Sequence, residues 1–316
     1  MIRAGLAGWR ELCGDGDGRI GDRAGTIGVI SAADYLQPPH LAAALEELAR
    51  APRMPIAGGT DVYPACVGGV PPPLLDISLL PETRGVGWSA DGTALRVGAC
   101  TTWSELVRMP LPAHIHALVQ AAREVGGIQI QNRGTLGGNL CNASPAADGI
   151  PPLLALDARV ELASARGTRS LPIDAFVLGN RRTARAADEL LTAVEIPARS
   201  PNALSVFLKL GHRRYLVISI VMVAAVLDVD AGDRVSYCGI GVGACSAAAR
   251  RLPALELGLL GLPRAEIPVR AAALLDAGAL DALAPIDDVR ATGDYRLDAA
   301  RGLVLRALNE LAERRH

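Results

Sequence analysis

Apolar residues recur along this chain at two spacings, every third or fourth position and every second. The switches between them lay out an alternation of helices and strands. Within Tyr35 to Arg50, behind a proline pair, Leu41, Ala44, Leu45 and Leu48 share one helical face, and Met54 to Ala57 forms a brief strand entering Gly58-Gly59-Thr60-Asp61. Leu74 to Ile77, Leu95 to Ala99, Ala158 to Ala163 and Leu190 to Ile196 read as further strands, the last closed by Pro197. Thr102 followed by Glu105 three positions on predicts a capping box, and Leu118 to Glu124 a second helix. Pro151 to Leu156 is an apolar segment. The prolines at 197 and 201 bracket a boundary. Beyond them come Ser205 to Leu210, an apolar run from Leu216 to Leu227, a strand at Val235 to Val242, and helices around Ala247 to Leu260 and Ala265 to Leu275. A final helix, Leu297 to Leu311, carries a stripe of Leu303, Leu305, Leu308 and Leu311. Helix, strand, glycine loop and strand in succession make an α/β unit.

At 316 residues the chain is long enough for two or three domains. Half of it is hydrophobic but only 3% aromatic, so the core is built from Ala, Val, Leu and Ile. A net charge of −1 offers no field for nucleic acid or an anionic membrane. The apolar run from Leu216 is 12 residues, too short to span a bilayer, and no charged segment followed by an apolar one opens the chain. These features predict a reduced cytoplasmic protein without membrane insertion. Six scattered cysteines, with no C-x-x-C, argue against an iron–sulfur cluster or zinc site within the chain. Arginine is abundant, whereas Lys209 is the single lysine.

Candidate chemistry concentrates in Val125 to Asp148, where five glycines and three asparagines interrupt any periodic pattern. The stretch is too polar and glycine-rich for a core element and suits a loop wrapped around a ligand. Gly134, Gly137 and Gly138 let the backbone approach a bulky group, and successive N–H groups there converge on an anion, with Thr135, Asn139, Asn142 and Ser144 adding donors. The Gly58-Gly59-Thr60-Asp61 loop upstream is of the same kind, so the pair can hold a diphosphate from both sides. No Gly-Lys pair exists, which excludes an ordinary P-loop. Loose dinucleotide fingerprints occur at Gly85 to Ala90 and Gly239 to Ala244, the second with Glu256 where a ribose-binding acid belongs, but 34 glycines make such matches cheap. Ser144 has no nucleophile elbow around it. His114 and His116 read as surface histidines, and Arg213 and Arg214, near Lys209, as solvated, phosphate-neutralising or partner-facing. The Asp-Gly alternation near the N-terminus lacks the glutamate of a calcium loop.

The segments AGGTDV at 57–62, QNRGTLGGNLCNASPAAD at 131–148, DELLTAVEIP at 188–197 and FLKLGHRR at 207–214 resemble, in order and spacing, the FAD-binding medium subunits of molybdenum hydroxylases. Xanthine dehydrogenase, carbon monoxide dehydrogenase and 4-hydroxybenzoyl-CoA reductase have such subunits. The resemblance implies an α+β architecture: a two-subdomain FAD-binding fold of the vanillyl-alcohol oxidase type over 29–200, divided near 80, then a small α+β C-terminal domain over 201–316. Residues 1–28 stand outside it as a mobile extension. It also implies that Ile56, Ala57, Gly58, Gly59, Thr60 and Asp61 line one side of the FAD diphosphate. Gly134, Thr135, Gly138, Asn139, Cys141 and Asn142 would line the other side and the adjoining sugar. Asp148 would accept a hydrogen bond from the ribityl or flavin side, Leu190 and Leu191 would pack near one ring end, and Lys209 would stand close to the cofactor. Gln131 departs from the family pattern, which commonly has arginine there.

The function implied is electron relay. A molybdenum-cofactor large subunit would act on the organic substrate, a [2Fe–2S] small subunit would pass electrons to FAD, and NAD, oxygen or a quinone would receive them. Two other readings stay open: a self-contained flavin oxidoreductase, for which no acid or base over the flavin is identified, and a flavin-free structural or assembly homologue.

Overall fold

In the computed structural model of the chain, residues 34–66, 72–214 and 216–314 are described. The extension at 1–28 lies outside them. Three sheets follow one another. The first is a parallel sheet of β1 (Tyr35–Leu36), β3 (Leu74–Asp76) and β2 (Met54–Ile56), in that spatial order. Helix α1 (Leu41–Arg50) connects β1 to β2 and buries Ala44 and Leu48 against Leu75, Ile77 and Leu80. The chain then turns through Gly58-Gly59-Thr60-Asp61 into the single turn α2 (Val62–Ala65). Tyr35 and Leu36, inside the stretch read as a helix, form a strand instead, because they pair with Leu74 and Leu75, a partner that two residues of pattern do not signal.

The second sheet is antiparallel and five-stranded. Its order is β4 (Val86–Trp88), β5 (Ala94–Gly98), β10 (Leu190–Pro197), β6 (Arg159–Ser164) and β7 (Gly167–Pro172). Helix α3 (Trp103–Arg108) starts at the predicted capping box, with Thr102 Oγ1 accepting from Glu105 N and Glu105 Oε2 accepting from Thr102 N at 2.7 Å. Helix α4 (His116–Glu124) is followed by the short α5 (Ile128–Gln131), which buries no residue, and by the short α6 (Leu136–Asn142) and α7 (Ile150–Ala155); α4, α6 and α7 share a core with this sheet. Two helices therefore lie inside the stretch read as too polar for a core element, and Leu136 and Leu140 are fully buried. The reason is a tertiary contact: Gly137 lacks the Cβ that would sit 2.8 Å from Ala99 O, so α6 lies flat on the strand exit. A further single turn, α8 (Ile173–Phe176), and the hairpin of β8 (Val177–Gly179) and β9 (Arg182–Thr183) complete this part.

The third sheet is antiparallel, with β11 (Leu204–Leu210), β12 (Val221–Val229), β13 (Val235–Gly243) and β14 (Arg250–Arg251) in sequential order. The apolar run resolves into a strand buried on both faces, which is why its pattern is continuous rather than alternating. Met222, Ala224 and Val226 face the core of the second sheet, while Val221, Val223, Ala225, Leu227 and Val229 face helices of the third. The run's first residues, Leu216 and Ile218, are exposed instead.

The helix expected around Ala247 to Leu260 is shorter, α9 (Pro253–Leu259). The residues before it stay extended because Arg250 and Arg251 pair with β13 and Ser246 Oγ accepts from Ala284 N at 2.9 Å. Helix α10 (Ile267–Asp276) lies close to expectation. The last helix, α11 (Gly293–Glu313), opens before the expected Leu297, capped by Thr292. It buries Ala300, Val304, Ala307, Leu308 and Leu311, so its stripe is centred on Val304 rather than on Leu303 and Leu305.

The fingerprint at Gly239 to Ala244 is a packing surface. A Cβ on Gly239 would lie 2.1 Å from Ala155 O and one on Gly241 2.3 Å from Pro151 O, so these glycines let α7 lie directly on β13. Glu256 is committed too, accepting from Ile240 N at 2.8 Å and pairing with Arg251. His114 is another correction. It is 3% exposed at the seam between the second and third sheets, beneath Ser205, which accepts from Ala117 N and donates to Ala113 O. His116 is exposed as expected. No helix among the described residues is long and apolar enough to cross a membrane.

Candidate functional site

The two glycine loops, one after β2 and one between α5 and α6, meet. A Cβ on Gly58 would stand 1.8 Å from Arg133 O, so only glycine permits this approach, and Gly59 adopts a φ of +72°, which favours glycine. Asn142 Nδ2 donates to Asp61 Oδ1 at 3.0 Å and ties the loops together. The central loop is also fixed to the start of α3: Trp103 N donates to Gly134 O, Leu136 N to Thr101 O and Gly137 N to Ala99 O. Beneath them the Trp103 ring is buried against Gly134 and Gly149. Within the loop, Thr135 Oγ1 accepts from Gly138 N at 3.0 Å and Asn139 Oδ1 from Gly149 N at 3.3 Å. Hydrogen bonds within the protein thus fix the shape of the loops, which lowers the ordering cost of binding.

Between them runs a cleft of about 1190 Å³. Every residue that the resemblance assigned to the cofactor lines it: Ile56 to Asp61, Gly134, Thr135, Gly138, Asn139, Cys141, Asn142, Asp148, Leu190, Leu191 and Lys209. In its floor Lys209 Nζ donates to Asp148 Oδ2 at 2.8 Å and to Glu124 O at 3.2 Å, and Ser219 Oγ donates to Asp148 Oδ1 at 2.8 Å. Burial pushes the Asp148 carboxyl up from its ordinary value, against the opposing pull of Lys209 and Ser219.

Sequence reasoning missed the basic wall. Arg181, Arg182 and Arg185 reach the cleft from the β8–β9 hairpin and Arg290 from the connection before α11, so with Lys209 cations outnumber Asp61 and Asp148. Asp288 positions Arg290, accepting from its Nη1 at 2.6 Å while also pairing with the buried Arg296. Nothing in the spacing of these arginines, in an arginine-rich chain, could have singled them out. Arg213 and Arg214 do not line the cleft, and Arg213 donates to Leu216 O. Gln131 Nε2 donates to Arg123 O at 3.0 Å, so the residue that departs from the family pattern anchors the loop to the end of α4.

A long basic cleft with two backbone-lined glycine loops defines a binding protein for a dinucleotide-like cofactor. The excess of cations suits an anionic group, and Leu190, Leu191 and Val217 give the cleft apolar wall. The family follows from comparison. Residues 30–199 match the FAD binding domain in molybdopterin dehydrogenase, and residues 207–311 match the CO dehydrogenase flavoprotein C-terminal domain. The chain is 33% identical to the nicotine 6-hydroxylase medium subunit of Paenarthrobacter nicotinovorans, an alignment spanning 82% of this chain and 89% of that one. It is 35% identical to the xanthine dehydrogenase FAD-binding subunit of Escherichia coli O157:H7 over 64% of this chain and 70% of the relative.

Among solved structures, quinoline 2-oxidoreductase from Pseudomonas putida 86 superposes with a TM-score of 0.78 at 29% identity, covering 90% of this chain and 98% of that one. A chain of reconstituted CO dehydrogenase from Oligotropha carboxidovorans gives 0.80 at 26%, covering 90% and 99%. The chain belongs to the FAD-binding medium subunits of the molybdenum hydroxylase type. It is an oxidoreductase subunit, and FAD is its cofactor.

Proposed function

We propose that FAD lies in this cleft with its diphosphate between the two glycine loops, and that the chain relays electrons within a complex. In this reading the backbone of Ile56 to Asp61 lines one side of the diphosphate. Gly134, Thr135, Gly138, Asn139, Cys141 and Asn142 line the other side and the adjoining sugar. Asp148 accepts a hydrogen bond from the ribityl or flavin side, Leu190 and Leu191 pack against a ring, and Lys209 stands as a cation beside the cofactor. The fold is then of the vanillyl-alcohol oxidase type, with the FAD-binding domain over 29–200 and the C-terminal domain over 201–316.

The supporting observation is the contact of Gly58 with Arg133 O, which brings two donor-rich loops together over a cleft whose basic side chains exceed its acidic ones. The partners are a [2Fe–2S] small subunit that supplies electrons and a molybdenum-cofactor large subunit that acts on the organic substrate, with NAD, oxygen or a quinone as acceptor. Flavin suits that place because it accepts electrons singly and delivers them in pairs. The chain's own residues hold, orient and shield it. The visible spectrum of the purified chain tests the reading: bands near ~450 nm with FAD released on denaturation are expected. A colourless protein that takes up no added FAD would refute it. Co-purification of iron–sulfur and molybdenum subunits tests the partners.

A further inference from the structure

Behind the cleft floor lies a polar group that lines no part of the cleft. Ser219, in the connection between β11 and β12, is 1% exposed, and its hydroxyl is spent on Asp148. Asp148 and Lys209 are themselves nearly buried, with side chains 8% and 7% exposed. A buried ion pair stays charged only where further hydrogen bonds satisfy its remaining lone pairs and protons. Here Glu124 O serves the lysine and Ser219 serves the carboxylate. Two of the three ammonium N–H donors are thereby occupied, and Lys209 lines the cleft, so the third remains for a ligand. The pair also crosses the seam, Asp148 coming from the loop after α6 and Lys209 from β11.

We propose that Ser219 is a positioning residue for the cofactor: by bonding Asp148 it keeps that carboxylate ionised and turned toward Lys209, leaving a charged Lys209 with one N–H directed at FAD. The inference rests on the reading of this cleft as the FAD site. The groups that face Asp148 are Lys209, Ser219 and the carboxylate of Glu124. Burial and Glu124 favour protonation of Asp148, and Lys209 and Ser219 oppose it. Without the hydroxyl, Asp148 takes up a proton at a higher pH than before, and Lys209 loses its counter-ion.

The test is titration of the deflavinated full-length chain with FAD across the acid-to-neutral range, comparing Ser219→Ala with Ser219→Thr. Loss of a hydrogen bond to a charged group predicts FAD binding about tenfold weaker on the acid side in Ser219→Ala. The pH step is expected to move to higher pH than in the unaltered chain, while Ser219→Thr, which keeps a hydroxyl, stays close to the unaltered chain. Asp148→Asn, which has no charge to lose, is expected to bind FAD weakly and without the step. Matching affinities at every pH in Ser219→Ala would overturn the proposal. So would equal losses in the alanine and threonine variants, or tight binding by Asp148→Asn if Ser219→Ala fails to fold. If the unaltered chain takes up no FAD, the reading of the cleft fails, and this inference with it.

Discussion

Replacing Gly58 by alanine adds one methyl group where the two loops meet. That Cβ would lie 1.8 Å from Arg133 O and 2.5 Å from Arg133 C, both backbone atoms, so no side chain can swing aside. Relief requires the loops to part by about 1.6 Å, the gap between 1.8 Å and the 3.4 Å at which ordinary contact begins. Overpacking of this kind costs about 1–3 kcal/mol of stability. The larger effect falls on the ligand. Hydrogen bonds of about 2.9 Å do not survive an added separation of that size. Each one lost to a charged group is worth about 1.5–3 kcal/mol, or roughly ten- to a hundredfold in affinity. FAD titration of the deflavinated chain, read by quenching of flavin fluorescence, measures this directly. Gly87→Ala is the control, since nothing lies within 4 Å of a Cβ there. Unchanged FAD affinity in Gly58→Ala, with an unchanged melting temperature, would show that the loops are not locked together as the geometry requires.

Three further outcomes are expected. Gly241→Ala drives a Cβ to 2.3 Å from Pro151 O and should lower stability by about 1–3 kcal/mol in chemical denaturation, by lifting α7 from β13. Lys209→Met leaves Asp148 buried without its cation and should cost about 3–5 kcal/mol, part of it recovered when Asp148→Asn is added; additive losses in the double variant would contradict the pairing. Burial and the neighbouring Arg199 and His116 push His114 down to about 4, with Asp228 acting in the opposite sense. The unfolded chain therefore binds a proton that the folded chain refuses between about pH 6.5 and about pH 4, and stability is lost as pH falls through that window. In His114→Leu the melting temperature should fall less steeply over the same range, and an identical slope would count against the assignment.

How far the site was legible follows from what each residue needs. The glycine loops were readable because tight turns demand particular residue types in short order, Gly58 and Gly59 within one short motif and Thr135, Gly138 and Asn139 within another. Lys209 was conspicuous as the sole lysine, and the resemblance supplied an expected place for it as well as for Asp148. Ser219 and Arg290 carry no such signature. A single serine or arginine becomes part of a site only when another element is brought against it, as Asp148 is against Ser219 at 2.8 Å.

By itself the sequence determined the succession of elements, the alternation that makes strands of Leu95 to Ala99 and Leu190 to Ile196, and the two glycine loops, because periodicity and turn chemistry act over a few residues. It also set the absence of cluster-forming cysteine spacing, which is a local property too. Only the tertiary structure decided that β12 is buried on both faces, that Gly239 and Gly241 serve helix packing rather than a nucleotide, that His114 lies inside, and that Leu136 and Leu140 make a glycine-rich stretch part of the core. Each of these depends on which surface meets which at long range, and a side chain's burial or a glycine's purpose is set by that partner, not by its neighbours in the chain.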